Sequence, residues 1–261
     1  MIDNPYSFFD IKGKVALVVG ATGAFGSVAA RTYAGAGCKV ALTGGNKSEL
    51  EKISDEISKG GCENLTINER PSSENECQKI VNATVKKFGR IDGLVNNAPS
   101  IHTGKIIDLD MPSWRTNFKA NLDAVFLTTK TVLPWMIAAK KGSIVNVASV
   151  VGLRGTAYMS GYGAAKSGLI NFSKTSAIEA APNVRVNCVI PGAVQTPATE
   201  RAIPNEDLME ATIKTIPLKR IAKPEELAAP IVFLLSSEAS FITGADLIID
   251  GGKTADLNAG N

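Results

Sequence analysis

Tyr162 and Lys166 stand four residues apart in Tyr162-Gly-Ala-Ala-Lys166, a spacing that puts both on one face if the stretch is helical. An ammonium beneath a phenol is a proton-transfer device. A free phenol titrates near ~10, so an acid or base working at neutral pH needs a shift of about 3 pH units, or ~4 kcal/mol. One cation about 4 Å away at an effective dielectric of ~20 supplies that amount. The pair alone carries little weight, because chance gives about 0.3 Tyr-x-x-x-Lys matches in a chain of this composition. An exposed lysine on an amphipathic helix is the plainer reading. Ser149, upstream, adds a hydroxyl, and the elements around these three residues must decide.

Val15-Ala-Leu-Val-Val19 is a β-branched apolar run, followed at once by Gly20-Ala-Thr-Gly23-Ala-Phe25-Gly26 and an alanine-rich helical stretch to Ala36. Strand, glycine turn and helix, in that order, put free N–H groups and a positive dipole end where glycines let a pyrophosphate come close. Gly20, Gly23, Phe25 and Gly26 are therefore expected to hold a dinucleotide; a tight structural turn is the alternative. Gly37–Thr43 reads as a second strand closing a βαβ unit, and Gly44-Gly45-Asn46-Lys47-Ser48 follows. An acidic residue here would hold ribose hydroxyls and repel a 2′-phosphate. None occurs between Thr43 and Ser48, so Gly45, Asn46 and Lys47 favour NADP(H), with NAD(H) left open. Lys47 reads equally well as a solvated charge opening the next helix.

Strands and helices keep alternating. Helical spacing over 48–58 and Glu74–Phe88 flanks a short strand at Leu65–Ile67, and Ile91–Pro99 is an apolar strand ending in two amides. Ligands of open α/β sheets bind beyond the C-terminal strand ends, which is where Asn96 and Asn97 fall. Asx turns ending the strand need the same residues. A helix is expected from Pro112 through Ala139, carrying Asn117 and Asn121. The strand Gly142–Ser149 then delivers the Ser149 hydroxyl to the same edge as Asn97. The Tyr162 helix runs to about Ala181, and Asn183–Gly192 is a buried strand. The stretch from 193 to 218 lacks a core pattern and is expected to be an irregular substrate cover. Glu225–Ser236 reads as a helix, Asp246–Asp250 as a last strand, and Lys253–Asn261 as a mobile polar tail. Without repeat or linker, residues 1–261 form one expected domain.

Composition narrows the function classes. The net charge of +3 arises from 28 basic and 25 acidic residues with no basic block, which speaks against nucleic acid. Four cysteines without a Cys-x-x-Cys pair, and the single His102, offer no zinc set, so reduced thiols and no metal site are expected. His102, alone in a post-strand loop, reads as structural or solvated. No apolar run approaches the ~18 residues of a membrane span, and Met1–Asp10 has no leader pattern. A cytoplasmic protein without a membrane partner is expected.

From Lys12 to Gly252 these motifs resemble the short-chain dehydrogenase/reductase family. There a serine precedes the catalytic tyrosine by thirteen residues, the distance from Ser149 to Tyr162. Asn121 matches the fourth catalytic residue, Asn96-Asn97-Ala98-Pro99 the strand end beside the nicotinamide, and Pro191-Gly192 with Thr196 the loop that reaches it. Phe241-Ile-Thr-Gly244 and Asp250-Gly-Gly252 match the C-terminal signature. The resemblance implies a doubly wound parallel β-sheet, the Rossmann fold, with helices on both faces, assembled as a homotetramer or homodimer. It implies catalysis by Ser149, Tyr162, Lys166 and Asn121, and coenzyme contacts at Asn97, Ala98, Tyr162, Lys166, Pro191, Gly192, Val194 and Thr196.

The implied reaction is reversible hydride transfer between NAD(P)(H) and a secondary alcohol or carbonyl. Tyr162 moves the proton, Ser149 polarises the carbonyl, Lys166 lowers the phenol and holds the ribose, and Asn121 anchors a water. Five positions depart from the pattern: Val19 for threonine, Ala24 for the middle glycine, Arg70-Pro71 for an adenine-contacting Asp-Val, and Pro99 for glycine. Two other readings stay open, a non-catalytic nucleotide-sensing or scaffold protein and an epimerase or dehydratase with tightly held coenzyme. Substrate walls are expected from Pro99–Thr103, Val150–Tyr158 and Ala193–Ile216. Arg154 and Arg201 are either anionic handles or surface charge.

Overall fold

Runs of β-branched and aliphatic residues without polar alternation are what a parallel sheet buried on both faces requires. In the computed structural model, which describes Phe9 and residues 11–97, 100–203 and 205–256, such runs form the middle of one seven-stranded parallel sheet whose two edge strands are only partly buried. The strands are β1 (Val15–Val19), β2 (Lys39–Thr43), β3 (Asn64–Ile67), β4 (Gly93–Asn96), β5 (Gly142–Val147), β6 (Val184–Pro191) and β7 (Asp246–Ile249). Their order is β3-β2-β1-β4-β5-β6-β7. The chain works outward from β1 to β3 and then crosses back to β4. The connections leaving β1 and β4 therefore part to opposite sides, opening a crevice beyond their C-terminal ends.

Side-chain alternation divides the core. Ala16 and Val18 face a layer made by α1 (Ala24–Gly35), α2 (Lys47–Lys59) and α9 (Glu225–Leu235). Leu17 and Val19 face α3 (Glu74–Phe88), α5 (Ala124–Ala138) and α6 (Ser160–Ala180). Each wholly buried Leu, Ile or Val contributes about 1.5–3 kcal/mol, against about 0–1 for an exposed ion pair such as Arg31–Glu56. The two apolar layers, not the surface charges, hold the sheet.

Three expectations need correction. The single helix over 112–139 is instead α4 (Met111–Phe118), a π-helical turn at Lys119–Asp123, and α5. In that turn the Ala124 N–H reaches back five residues to the Lys119 carbonyl. The stretch 193–218 is not irregular, since it forms α7 (Pro197–Ala202) and α8 (Glu206–Lys214), capped by Thr196 and Asn205. The tail is held at its start, where the Asp250 carboxylate accepts from the N–H groups of Gly252 and Thr254 and from the Thr254 hydroxyl. Met1–Phe8, Asp10, Ala98, Pro99, Pro204 and residues 257–261 lie outside the described residues. Among the described residues no helix is long and apolar enough to cross a membrane, and the four cysteines are free thiols.

Candidate active site

At the first strand end the backbone turns at Gly20, whose φ of +75° is open to glycine at little cost. Its N–H and that of Ala21 donate to the Thr43 carbonyl at 3.0 and 2.9 Å, tying the turn to β2. Gly26 is a glycine for space: a Cβ there would run into the Gly20 carbonyl oxygen, with Ala21 Cα only 3.1 Å away. Helix α1 thereby lies close against the turn. It starts at Gly23 without a side-chain cap, whereas neighbouring α2 and α3 are capped by Asn46 and Ser73. Its first N–H groups remain available to an anion.

These residues border a cleft of about 690 Å³ lined by Gly20, Gly23, Phe25, Gly45, Asn97 and Thr196 of the predicted set. Thr22, Ala24, Arg70, Ser72, Ser100, Thr116 and Lys119 also line it. The expected role of Asn46 and Lys47 is not supported by where they stand. Asn46 spends its side-chain oxygen on the Glu49 N–H and the Ser48 hydroxyl, and exposed Lys47 leans toward Glu51 at 3.8 Å. Neither lines the cleft. Gly26 lies buried beneath it. Pro191 and Gly192 continue β6, and Val194 bridges to Ala222, so these three anchor the loop that brings Thr196 to the rim.

The two strand-end amides separate as alternation requires. Asn97 borders the cleft, while Asn96 points into the core and donates to Asn146 Oδ1 at 2.9 Å. Alternation in the sequence was the signal that distinguishes them. Asn121 sits within the π-helical turn, its Nδ2 donating to the carbonyls of Ser100 at 2.6 Å and Asn117 at 2.8 Å. Its Oδ1 is buried with no partner among the described residues. Asn117 in turn donates to and accepts from the His102 backbone at 3.0 Å each, pinning the loop above β4.

Ser149, just past β5, accepts the Val151 N–H at 3.3 Å and shares a hydrogen bond with the Tyr162 hydroxyl. Tyr162 and Lys166 share the sheet-facing side of α6, 7% and 4% exposed. Lys166 Nζ donates to the Val147 carbonyl at 2.7 Å and lies 5.7 Å from the centre of the Tyr162 ring. Ser149, Tyr162 and Lys166 are thus gathered at the C-terminal end of β5, with Asn121 in the π-helical turn that packs on α6; none of the four is among the residues that line the cleft. The expected electrostatics are not found. Burial pushes Tyr162 up to about 12, opposed by the Ser149 hydrogen bond, and burial pulls Lys166 down to about 8. Desolvation penalises the charged form of both, and this outweighs their attraction.

Arg154 donates to the Thr254 carbonyl at 2.6 Å, binding its loop to the chain after β7 instead of standing free as a handle. The Arg201 side chain lies outside the described residues. Ser100 belongs to the expected substrate wall and Arg70 stood out only as a departure from an adenine-contacting pair, whereas Thr116 and Lys119 were missed because no motif marks them; only the packing of loops brings them to the cleft. A nicotinamide dinucleotide, the group the predicted fold implies, fits what is present. The uncapped α1 start would take its phosphates, Asn97 and Lys166 its ribose end, and the unpartnered Asn121 Oδ1 a water beside it.

The sequence profile of a family described as enoyl-(acyl carrier protein) reductase matches residues 20–254. The chain is 38% identical to a 3-oxoacyl-[acyl-carrier-protein] reductase, FabG, of Thermotoga maritima, over 93% of this chain and 98% of that protein. It is also 38% identical to a trans-4-hydroxycyclohexanecarboxylate dehydrogenase of Sinomonas cyclohexanicum, over 94% of each. Among solved structures, levodione reductase superposes with a TM-score of 0.91 at 32% identity, covering 94% of this chain and 99% of that one. A short-chain type dehydrogenase/reductase from Mycobacterium marinum superposes with a TM-score of 0.91 at 31% identity, covering 96% and 99%.

Proposed function

Because the chain belongs to the short-chain dehydrogenase/reductase family, we propose that it catalyses reversible hydride transfer between NADP(H) and a secondary alcohol or its carbonyl. The observation that carries this reading is the hydrogen-bonded Tyr162–Ser149 hydroxyl pair beside buried Lys166, at the C-terminal end of β5 and so on the same edge of the sheet as Gly20 and Asn97 of the cleft. The nicotinamide supplies or accepts the hydride when bound. Tyr162 Oη carries the proton exchanged with the substrate oxygen, and Ser149 Oγ donates to that same oxygen. Lys166 holds the ribose, and its exchange with solvent runs through a water on Asn121 Oδ1. A phenol pushed up to about 12 keeps its proton across the neutral range, the form that donates to a carbonyl oxygen in the reductive direction.

The coenzyme preference rests on the lack, among the described residues, of any carboxylate along the cleft. Exposed Phe126 and Trp135 on α5, Ile178 on α6 and Phe241 support assembly as a homodimer or homotetramer. Relatives act on both acyl-carrier-bound and cyclic substrates, so the test is a coenzyme-absorbance screen of 3-oxoacyl thioesters and cyclic ketones, with and without a carboxylate. Tyr162→Phe is expected to bind the dinucleotide as the parent does and to lose turnover by about 10²–10⁴-fold. Undiminished turnover overturns the assignment. An epimerase or dehydratase would instead keep its nicotinamide through purification and show no net coenzyme turnover.

A further inference from the structure

We propose that Arg70 is the residue that selects the coenzyme, its guanidinium gripping a phosphate on the 2′ position of the adenosine ribose. This rests on the dinucleotide reading above and assigns the discrimination to a side chain at the end of β3, in place of Lys47 after β2.

The placement of Arg70 is fixed by its backbone. β2 and β3 run in register, Thr43 against Ile67, and the segments beyond both ends are bonded together. The Thr43 hydroxyl donates to the Glu69 carbonyl at 2.5 Å, the Glu69 N–H to the Ile67 carbonyl at 2.8 Å, and the Ser72 N–H to the Arg70 carbonyl at 2.8 Å. Arg70 therefore leaves a braced loop, and its side chain runs back over the end of β2. A Cβ built on Gly45 would overlap Arg70 Nε, with Cζ and Nη2 at 2.6 and 2.7 Å. Gly45 is not in the left-handed region, so conformation does not demand glycine there. Space for the guanidinium does. Gly44 plays the matching part for Thr22, whose Cγ2 and Oγ1 would lie 2.9 Å from an added Cβ.

Arg70, Gly45, Gly44 and Thr22 together line one end of the cleft. Charge points the same way. Among the described residues no Asp or Glu lines the cleft, whereas Arg70 and Lys119 do. Arg31 and Arg220 are paired with Glu56 and Glu226, and Arg154 and Arg185 donate to backbone carbonyls. The Arg70 guanidinium has neither kind of partner among the described residues. Its neighbour Glu69 turns instead to Lys79 at 3.7 Å. An exposed guanidinium laid over Gly45, without a carboxylate paired to it among the described residues, presents a planar fork suited to two oxygens of one phosphate. A carboxylate at the end of β2, which would hold free ribose hydroxyls, is missing from the same spot.

The test is direct binding by calorimetry, independent of turnover. NADP⁺ is compared with NAD⁺, and 2′,5′-ADP with 5′-AMP, on the parent, Arg70→Ala and Gly45→Ala proteins, with thermal melts as a folding control. The parent is expected to bind the 2′-phosphorylated member of each pair about 10- to 100-fold more tightly, the worth of a charge-assisted hydrogen bond. Arg70→Ala is expected to erase that ratio while NAD⁺ and 5′-AMP affinities stay within about 3-fold. Gly45→Ala is expected to shrink the ratio with the arginine still present, because the methyl group evicts its guanidinium. Equal losses for both members of a pair, as stacking on adenine would give, overturn the proposal, as does a ratio unchanged in Arg70→Ala. A parent that binds both members equally, yet needs Tyr162 for turnover, overturns this proposal alone. A parent that binds no dinucleotide overturns the functional reading with it.

Discussion

Lys166 is a cation without an anion, and removing it is expected to stabilise the coenzyme-free protein. Its ammonium is 4% exposed and bonded to the Val147 carbonyl, and among the described residues no carboxylate pairs with it. The titratable groups beside it, Tyr162 and Cys188, are each pushed up to about 12 by burial, so both stay neutral at pH 7 and offer no counter-charge. Lowering Lys166 from 10.5 to about 8 corresponds to ~3 kcal/mol, at about 1.36 kcal/mol per pH unit, spent on burying the charge. Lys166→Met removes that cost and forfeits one hydrogen bond worth about 1 kcal/mol, leaving ~2 kcal/mol of net stabilisation at pH 7. For a chain of this size that raises the melting temperature by about 4–8 °C.

The pH dependence has a definite sign. Between about 8 and 10.5 the unfolded chain keeps a proton that the folded chain has released, so the parent grows more stable with rising pH across that window. The variant lacks this component. Its advantage should be full below pH 8, shrink through the window, and reverse slightly above it, where only the lost hydrogen bond remains. Urea titrations of both proteins at pH 7 and 10, at matched protein concentration and without coenzyme, read this directly. A variant less stable than the parent at pH 7, or a gap identical at the two pH values, refutes the reasoning. Turnover should be lost in either case, which makes the buried charge a cost in stability borne for function.

Two further expectations follow from the site. Gly26→Ala drives a methyl into the Gly20 carbonyl, a backbone atom fixed by β2, and should cost about 1–3 kcal/mol in urea titrations; dinucleotide affinity should fall with it. A wild-type-like midpoint would show that the turn yields. Ser149→Ala removes the one hydrogen bond that lowers Tyr162, so its phenol should titrate still higher and the alkaline limb of the pH–rate profile should move up as turnover drops. An alkaline limb moving down would contradict that arrangement.

The sheet and its flanking helices were legible because buried parallel strands leave an unmistakable residue pattern, and α3 matches its expected bounds at both ends. What was misread depends on burial and on contacts between loops. Helix α8 has no buried residue and so shows no core pattern, yet Asn205 before two acidic residues and Thr196 before Pro197 are start signals for α8 and α7 that outrank the missing apolar stripe. The π-helical turn around Asn121 has no sequence mark at all. The tuning of Tyr162 failed for a similar reason: spacing gives the shared face but not the depth, and at 7% exposure desolvation outweighs an ammonium that is turned to the Val147 carbonyl. Arg70 looked like a loss, a missing adenine contact, until the room left by Gly45 showed where its side chain goes.

The aim of the catalytic side chains is set well below them. Residues 162, 166, 169 and 173 follow one stripe of α6, spaced by four, three and four, so whatever fixes Ser173 fixes the rotation that turns Tyr162 to Ser149 and Lys166 to the Val147 carbonyl. Leu169 in that stripe packs only by dispersion, which tolerates small slides and turns. Ser173 does not. Its hydroxyl donates to the Leu169 carbonyl at 2.8 Å and accepts from Asn146 Nδ2 on β5 at 2.9 Å. Asn146 Oδ1 accepts from Asn96 on β4, and Asn96 Oδ1 accepts from Thr128 on α5 at 2.7 Å. Every member is buried, so breaking one link strands a polar group at about 1–3 kcal/mol, whereas the intact chain costs little. Two strands and two helices are thereby locked in a single relative register, and Ser149, Asn97 and Tyr162 inherit their positions from it.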